Sequence, residues 1–360
     1  PTSRLLARMG KGPWNQRRGS FRELSSIMDQ PSTLILVAFR HGNRNPARFL
    51  DPNSKMTWGS EGELALNEIG RQQAHSLGDH LDRYLRRYGS PSAIDFYSSS
   101  ADRCIDTMEI VKKRLGYGSE QTTVDDQMLR MYAVDHPLNG EVWKPVSSEV
   151  SSELTPELRL ELNERKDLIE YLHDTTGWAM SVSALADLAD NLEQMEKFGE
   201  ELPSWIEKPA LPSYDKARIH NEIMLFSEKR QISCALFGPC RDLMAAVWLK
   251  EIKERISRSR EEHEPGRLTL AVYASHTEVI LSVMRSMGMD ANRVATAGGF
   301  IAEIRIEDEK NLHVKLFDHF PSGLGHEIVE APLVKAHAHS IDDWSESWTM
   351  NNILRLRESA

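Results

Sequence analysis

Cysteine is scarce in this chain of 360 residues: only Cys104, Cys234 and Cys240 occur. An odd, sparse set of this kind is not a disulfide framework, so three free thiols are expected. No Asn-x-Ser/Thr sequon occurs either, which leaves N-linked glycosylation without an acceptor. Both absences favour a reducing, intracellular setting. No apolar run approaches the ~20 residues that a membrane-spanning helix needs. There is no internal repeat and no low-complexity tract. The net charge of −10 argues against a general nucleic-acid or membrane-surface binder. An anionic ligand must therefore be held by a local basic pocket.

The composition is that of a globular protein, 40% hydrophobic and 27% charged. The length is enough for two domains or one large one. The first residues carry Arg4, Arg8, Lys11, Arg17, Arg18 and Arg22 before the first acid, Glu23. In charge this resembles a mitochondrial presequence. The preferred expectation is a basic extension over 1–30, lying on the protein surface.

The densest chemistry is Arg40-His41-Gly42-Asn43-Arg44-Asn45-Pro46, which follows the apolar run Thr33 to Phe39. A short apolar run after Pro31 reads as a buried strand. Open α/β sheets bind ligands at the carboxyl ends of their strands. Arginine forks match phosphate oxygens, and a histidine between them is placed to attack phosphorus.

The same pattern recurs twice. Ala93 to Tyr97 reads as a strand ending in Ser98-Ser99-Ser100-Ala101-Asp102-Arg103, and Arg267 to Ala274 as a strand ending in Ser275-His276-Thr277-Glu278. Helical spacing covers Glu63 to Arg87, and a helix through Ile105, Met108, Val111 and Leu115 stops at Gly116. Residues 150–200 show helical periodicity with almost no strand signal, and 219–258 read as one long helix. A last strand pair is expected at Phe300–Ile306 and His313–Phe317.

The fold class expected is α/β: a mostly parallel central sheet flanked by helices, with an inserted, smaller all-helical cap. The expected division is 31–120 and 235–345 for the core, 121–234 for the cap and 346–360 for a tail. Parallel strands would gather Arg40, His41, Arg44, Arg103 and His276 at one sheet edge. Such a cluster is repulsive unless an anion neutralises it, and phosphate is the natural guest.

The stretch RHGNRNP resembles the R-H-G-x-R-x-P signature of the histidine phosphatase superfamily, in the branch holding acid phosphatases and phytases. Gly70-x-x-Gln73, Ser100-x-Asp102-Arg103, Tyr273-Ala274-Ser275-His276 and Phe300 to Ile304 are similar to later family segments, in the same order. Leu172 to Trp178 and Leu202 to Trp205 resemble, more loosely, the cap of prostatic and lysosomal acid phosphatases. The resemblance spans roughly residues 33–345.

It implies phosphomonoester hydrolysis through a phosphohistidine on His41. Arg40, Arg44, Arg103 and His276 would hold the phosphate, and no cofactor or metal would be needed. The expected partner is a phosphate monoester, with neither nucleic acid nor a membrane span, and a homodimer is allowed. The family also offers a lysosomal or secreted setting as the alternative to an intracellular one.

Three departures stand out. Acid phosphatases follow the second histidine with an aspartate that protonates the leaving group, and here that position is Thr277. Glu278 stands one residue on, a His-x-Glu order like that of the multiple inositol polyphosphate phosphatases, and is the default acid. The disulfide cysteines of the secreted members are missing, and Asn43 stands where their signature often has aspartate. An inositol polyphosphate or lysophosphatidic acid phosphatase is the alternative enzyme. A pseudophosphatase that only binds phosphate or a protein is the alternative of a different class.

Other features are given bland readings. His337-x-His339 with Asp342 and Asp343 is read as a solvated segment rather than a metal site. Lys229-Arg230 and the group Lys253, Arg255, Arg258 and Arg260 are read as solvent-exposed. Trp143 and Trp205 are expected to pack the cap, and Met128, Met131 and Tyr132 to line a wall or pack a core. Cys104 is expected to be a buried helix cysteine.

Overall fold

The computed structural model describes residues 31–332 apart from 55–57, 61, 131–155, 237, 263–264, 308–311 and 324. The basic extension, Met131, Tyr132, Trp143, the His337/His339 segment and the tail lie outside the described residues.

Among the described residues, seven strands form one sheet. They are β1 (Ser32–Arg40), β2 (Ala93–Ser98), β3 (Thr122–Val124), β4 (Leu268–Ser275), β5 (Gly299–Ile306), β6 (Leu312–Ser322) and β7 (Gly325–Glu330), in the order β3-β2-β4-β1-β5-β6-β7. The β3-β2-β4-β1 half is parallel, and β5, β6 and β7 add antiparallel neighbours. Five of the seven strands therefore run the same way, as the alternating strand and helix pattern led one to expect. The strand β7 was not anticipated: Gly325 to Glu330 carries little apolar signal and pairs only along the sheet edge.

The apolar run of β1 is continuous because β1 lies in the middle of the sheet with both faces covered. Its side chains alternate between two cores. Leu34, Leu36 and Ala38 join a cluster with Trp248, Tyr273 and Phe300. Ile35, Val37 and Phe39 join another with Leu77, Leu81, Phe96, Met108 and Val111. The second face is covered by α1 (Glu68–Leu85) and α2 (Asp102–Arg114), the first by α9 (Gly238–Glu261) and α10 (Thr277–Ser286). Between α2 and α9 come α3 (Asp126–Leu129), α4 (Pro156–Glu164), α5 (Lys166–Thr176), α6 (Val182–Lys197), α7 (Ser204–Glu207) and α8 (Lys216–Leu236). Leu168, Leu172, Leu185, Leu188, Leu192, Ile219, Ile223 and Phe226 from these helices form a third apolar cluster, with Trp205 packed against it. Among the described residues no helix is long and apolar enough to cross a membrane.

Three expectations need correction. Cys234 and Cys240 form a disulfide. In one unbroken helix, residues six apart would stand ~9 Å apart along the axis. Here the helix ending at Leu236 and the one starting at Gly238 are separate, and the two Cα atoms stand 5.1 Å apart, inside bridging range. Cysteine usage therefore no longer argues for a reducing setting, while Cys104 is the free, buried thiol expected. Arg255 is buried rather than solvated, donating to Asp95 Oδ2 and Tyr97 Oη at 2.6 Å each. Lys229 pairs with Glu161, and Arg230 turns out to stand at the site described next.

Candidate active site

Strand β1 delivers Arg40 and His41, β2 leads through Ser99 to Arg103 on the first turn of α2, and β4 delivers His276 at the start of α10. These ends meet at one pocket, whose lining includes Arg40, His41, Arg44, Arg103, His276, Thr277 and Glu278. The side chains predicted to converge do so. Neither α2 nor α10 has a side-chain N-cap, and both begin at this pocket. Their open N–H groups and dipole ends add to the positive potential.

The signature loop is locked from below. Gly42 N donates to Thr107 Oγ1 (3.0 Å), whose hydroxyl donates to Arg103 O. Asn43 N donates to Gln73 Oε1 (2.8 Å), and Asn67 Nδ2 to Asn43 Oδ1 (2.6 Å). The loop lies backbone-to-backbone on α1: a Cβ at Gly70 would stand 2.0 Å from Asn43 O, so only glycine fits there. On the other side, Arg40 N donates to Gly298 O (2.8 Å) and Arg40 Nη1 to Val294 O (3.1 Å).

The two histidines are ordered as neutral tautomers. His41 Nδ1 lies 2.8 Å from Gly42 O. A carbonyl can only accept, so Nδ1 carries the proton and Nε2 keeps its lone pair. Arg103 Nη2 donates to His276 Nδ1 (3.3 Å), so His276 Nε2 carries its proton, 2.9 Å from Ser99 Oγ. The ring centroids are 5.5 Å apart. Burial first, then Arg103, Arg40, His276 and Arg44, hold His41 well below the ordinary histidine range. Burial and then Arg103, Arg130, Arg40 and Arg44 do the same to His276. An imidazole kept neutral in this way remains a nucleophile in acid.

Four carboxylates act on this positive field, among them Glu193 on α6, which acts electrostatically on Arg40. Glu278 lines the pocket from the first turn of α10 and acts electrostatically on Arg40 and Arg44. Asp190, on α6, pairs with Arg44 at 2.9 Å. Asp187, one turn earlier, is pushed up to about 6 by burial and by Asp190. Asp190, Ser227 and Arg230 were missed as site residues. They belong to helices whose sequence signals only an amphipathic bundle, and no motif marks which polar side chain faces the sheet edge. Ser99 and Thr107 were missed because tautomer and loop support arise only in three dimensions. Among the described residues no three His, Cys, Asp or Glu side chains are grouped as metal ligands.

This arrangement sits on a known architecture. The phytase of Citrobacter braakii superimposes with a TM-score of 0.58 at 12% identity, over 91% of this chain and 98% of that one. The chain has the fold of that phytase. Hafnia alvei phytase in complex with myo-inositol hexakis sulphate gives a TM-score of 0.57 at 10% identity, over 87% and 92% of the two chains. The Bifidobacterium longum multiple inositol polyphosphate phosphatase complexed with inositol hexasulfate gives 0.56 at 10%, over 85% and 87%. Residues 36–130 match the family model described as histidine phosphatase superfamily (branch 1). That match spans only the signature loop to α3. The likeness to the phytases and the inositol polyphosphate phosphatase covers 85–91% of this chain. No curated protein matches this chain.

Proposed function

We propose that the protein hydrolyses phosphate monoesters through a phosphohistidine on His41. The observation that carries this is the His41 Nδ1 to Gly42 O bond, which leaves Nε2 as a lone pair in a pocket walled by Arg40, Arg44, Arg103 and His276. The guanidinium groups hold the non-bridging oxygens and the charge that spreads over them, and His276, whose Nδ1 accepts from Arg103, orients that guanidinium toward them. His41 Nε2 forms a bond to phosphorus as the bond to the ester oxygen breaks. Glu278 gives its proton to that oxygen, and the alcohol leaves. Water then attacks the same phosphorus and passes a proton to Glu278. The N–P bond breaks, and phosphate is released from neutral His41. Helices α6 and α8, which reach the pocket through Asp190 and Arg230, serve as a cap over it.

Rapid quenching with a phosphate ester tests the reading. The parental protein should carry one acid-labile phosphoryl group on His41. His41→Asn should carry none and lose at least ~10⁴-fold in kcat, the scale of losing a covalent nucleophile. Turnover at the parental rate by that variant would refute the assignment. One observation favours a non-catalytic phosphate binder: Thr277 stands where acid phosphatases carry their acid. Against it, Glu278 faces the same pocket.

A further inference from the structure

Four residues of the inserted helices reach the pocket: Ala186 and Asp190 from α6, and Ser227 and Arg230 from α8. Of these four described residues, Asp190 forms an ion pair with the phosphate-binding set. Its Oδ2 lies 2.9 Å from Arg44 Nη2, while Arg44 Nη1 donates to Asn45 O (2.8 Å). Both side chains are largely enclosed, at 19% and 16% exposure, so the pair is weakly screened.

A guanidinium has five N–H donors. Here one goes to Asp190 and another to a backbone carbonyl, which narrows the fork left for phosphate. The carboxylate also repels a bound dianion. A further dianion on the same substrate would meet Asp190 and Glu278 together, with Arg230 the one cation that the described cap residues add to the lining. A hydroxyl, by contrast, can donate to a free carboxylate oxygen.

From this we infer that Asp190 determines specificity. It limits Arg44 to a single phosphate and accepts a hydroxyl of the leaving group, selecting monophosphates of hydroxylated alcohols over substrates bearing several phosphates. The inference rests on the phosphohydrolase reading and narrows it. The opposing view gives Asp190 a purely structural task, holding Arg44 in place. The two views predict opposite signs.

Asp190→Asn keeps the shape and an acceptor oxygen but removes the charge, and Asp190→Glu keeps the charge. Calorimetry with inorganic phosphate and with myo-inositol hexasulfate reads affinity without turnover. For Asp190→Asn, phosphate should bind about tenfold tighter and the hexasulfate tighter by a larger factor. Asp190→Glu should stay within about threefold of the parent for both. In kcat/KM, the ratio of inositol hexakisphosphate to glycerol 2-phosphate should rise about tenfold in Asp190→Asn. Unchanged or weaker anion binding by Asp190→Asn overturns the inference, as does an unchanged preference between the two anions. A parent that binds both anions but hydrolyses neither ester would instead sink the phosphohydrolase reading, and the affinities would still decide the role of Asp190.

Discussion

Among the described residues two pairs of histidines are buried, and they could hardly be used more differently. His41 and His276 stand 5.5 Å apart by ring centroid at the strand ends, walled by arginines and open to a pocket. His319 and His326 stand 5.1 Å apart on β6 and β7. There His319 Nε2 donates to Ala38 O (2.8 Å), and its Nδ1 accepts from His326 Nε2 (2.9 Å). His326 Nδ1 is buried with no partner among the described residues. Burial keeps all four neutral. Neutrality alone is therefore no mark of catalysis. What separates the pairs is the company: cations and an opening in one case, backbone and another imidazole in the other.

The comparison breaks first on substitution. Beside the loss expected for His41→Asn, His319→Asn should leave kcat within about threefold while lowering stability by roughly 1–3 kcal/mol, because a buried carbonyl and His326 lose their partner. Urea denaturation together with turnover per folded molecule checks it. A kcat loss near that of His41→Asn would erase the distinction between the pairs.

Acid sharpens the comparison next. His319 is held at about 4 by burial, against ~6.5 unfolded. Its folded-state pKa is depressed, so below pH 6.5 the unfolded chain takes up a proton that the folded chain refuses. The stabilisation is complete above pH 6.5 and falls away as the pH drops toward 4. The loss should reach roughly 3 kcal/mol for this one group. Saturating phosphate should offset the equivalent loss from His41 and His276, by binding beside them, and leave the His319 share untouched. Unfolding free energies from pH 7 to 4, with and without phosphate, decide this. A flat profile would contradict the buried neutral pair.

The smallest effect concerns the leaving group. Glu278→Gln should slow an alkyl phosphate at least ~10-fold more than p-nitrophenyl phosphate, whose leaving group needs little protonation. Equal losses on both would make Glu278 structural.

Much of the core was legible because its signals are local. The run Thr33 to Phe39 read as a buried strand, and the strand is Ser32–Arg40. Gly116 adopts φ +84 just past α2, as a helix stop should. Three strand ends bearing Arg40/His41, Arg103 and His276 implied a shared edge, and parallel pairing of β1, β2 and β4 brings them there. Less legible were features made by contact between distant segments. Reading 219–258 as one long helix missed that two helices are separate there, and with it the Cys234–Cys240 bridge. Arg255 read as solvated because its partners, Asp95 and Tyr97, lie some 160 residues away. Gly325 to Glu330 lacked the alternation that marks a strand.

Sequence alone was enough to place the side chains of the signature loop together, since strand, arginines and histidine are contiguous and their order sets which side chains emerge together. Tertiary structure decided the state of the site's side chains. The tautomer of His41 depends on how the loop folds back on its own carbonyl, that of His276 on Ser99 and Arg103, and the fork of Arg44 on Asp190. Hydrogen bonds and charge pairs act over a few ångströms, and for all but the first of these groups the neighbours at that range come from elsewhere in the chain.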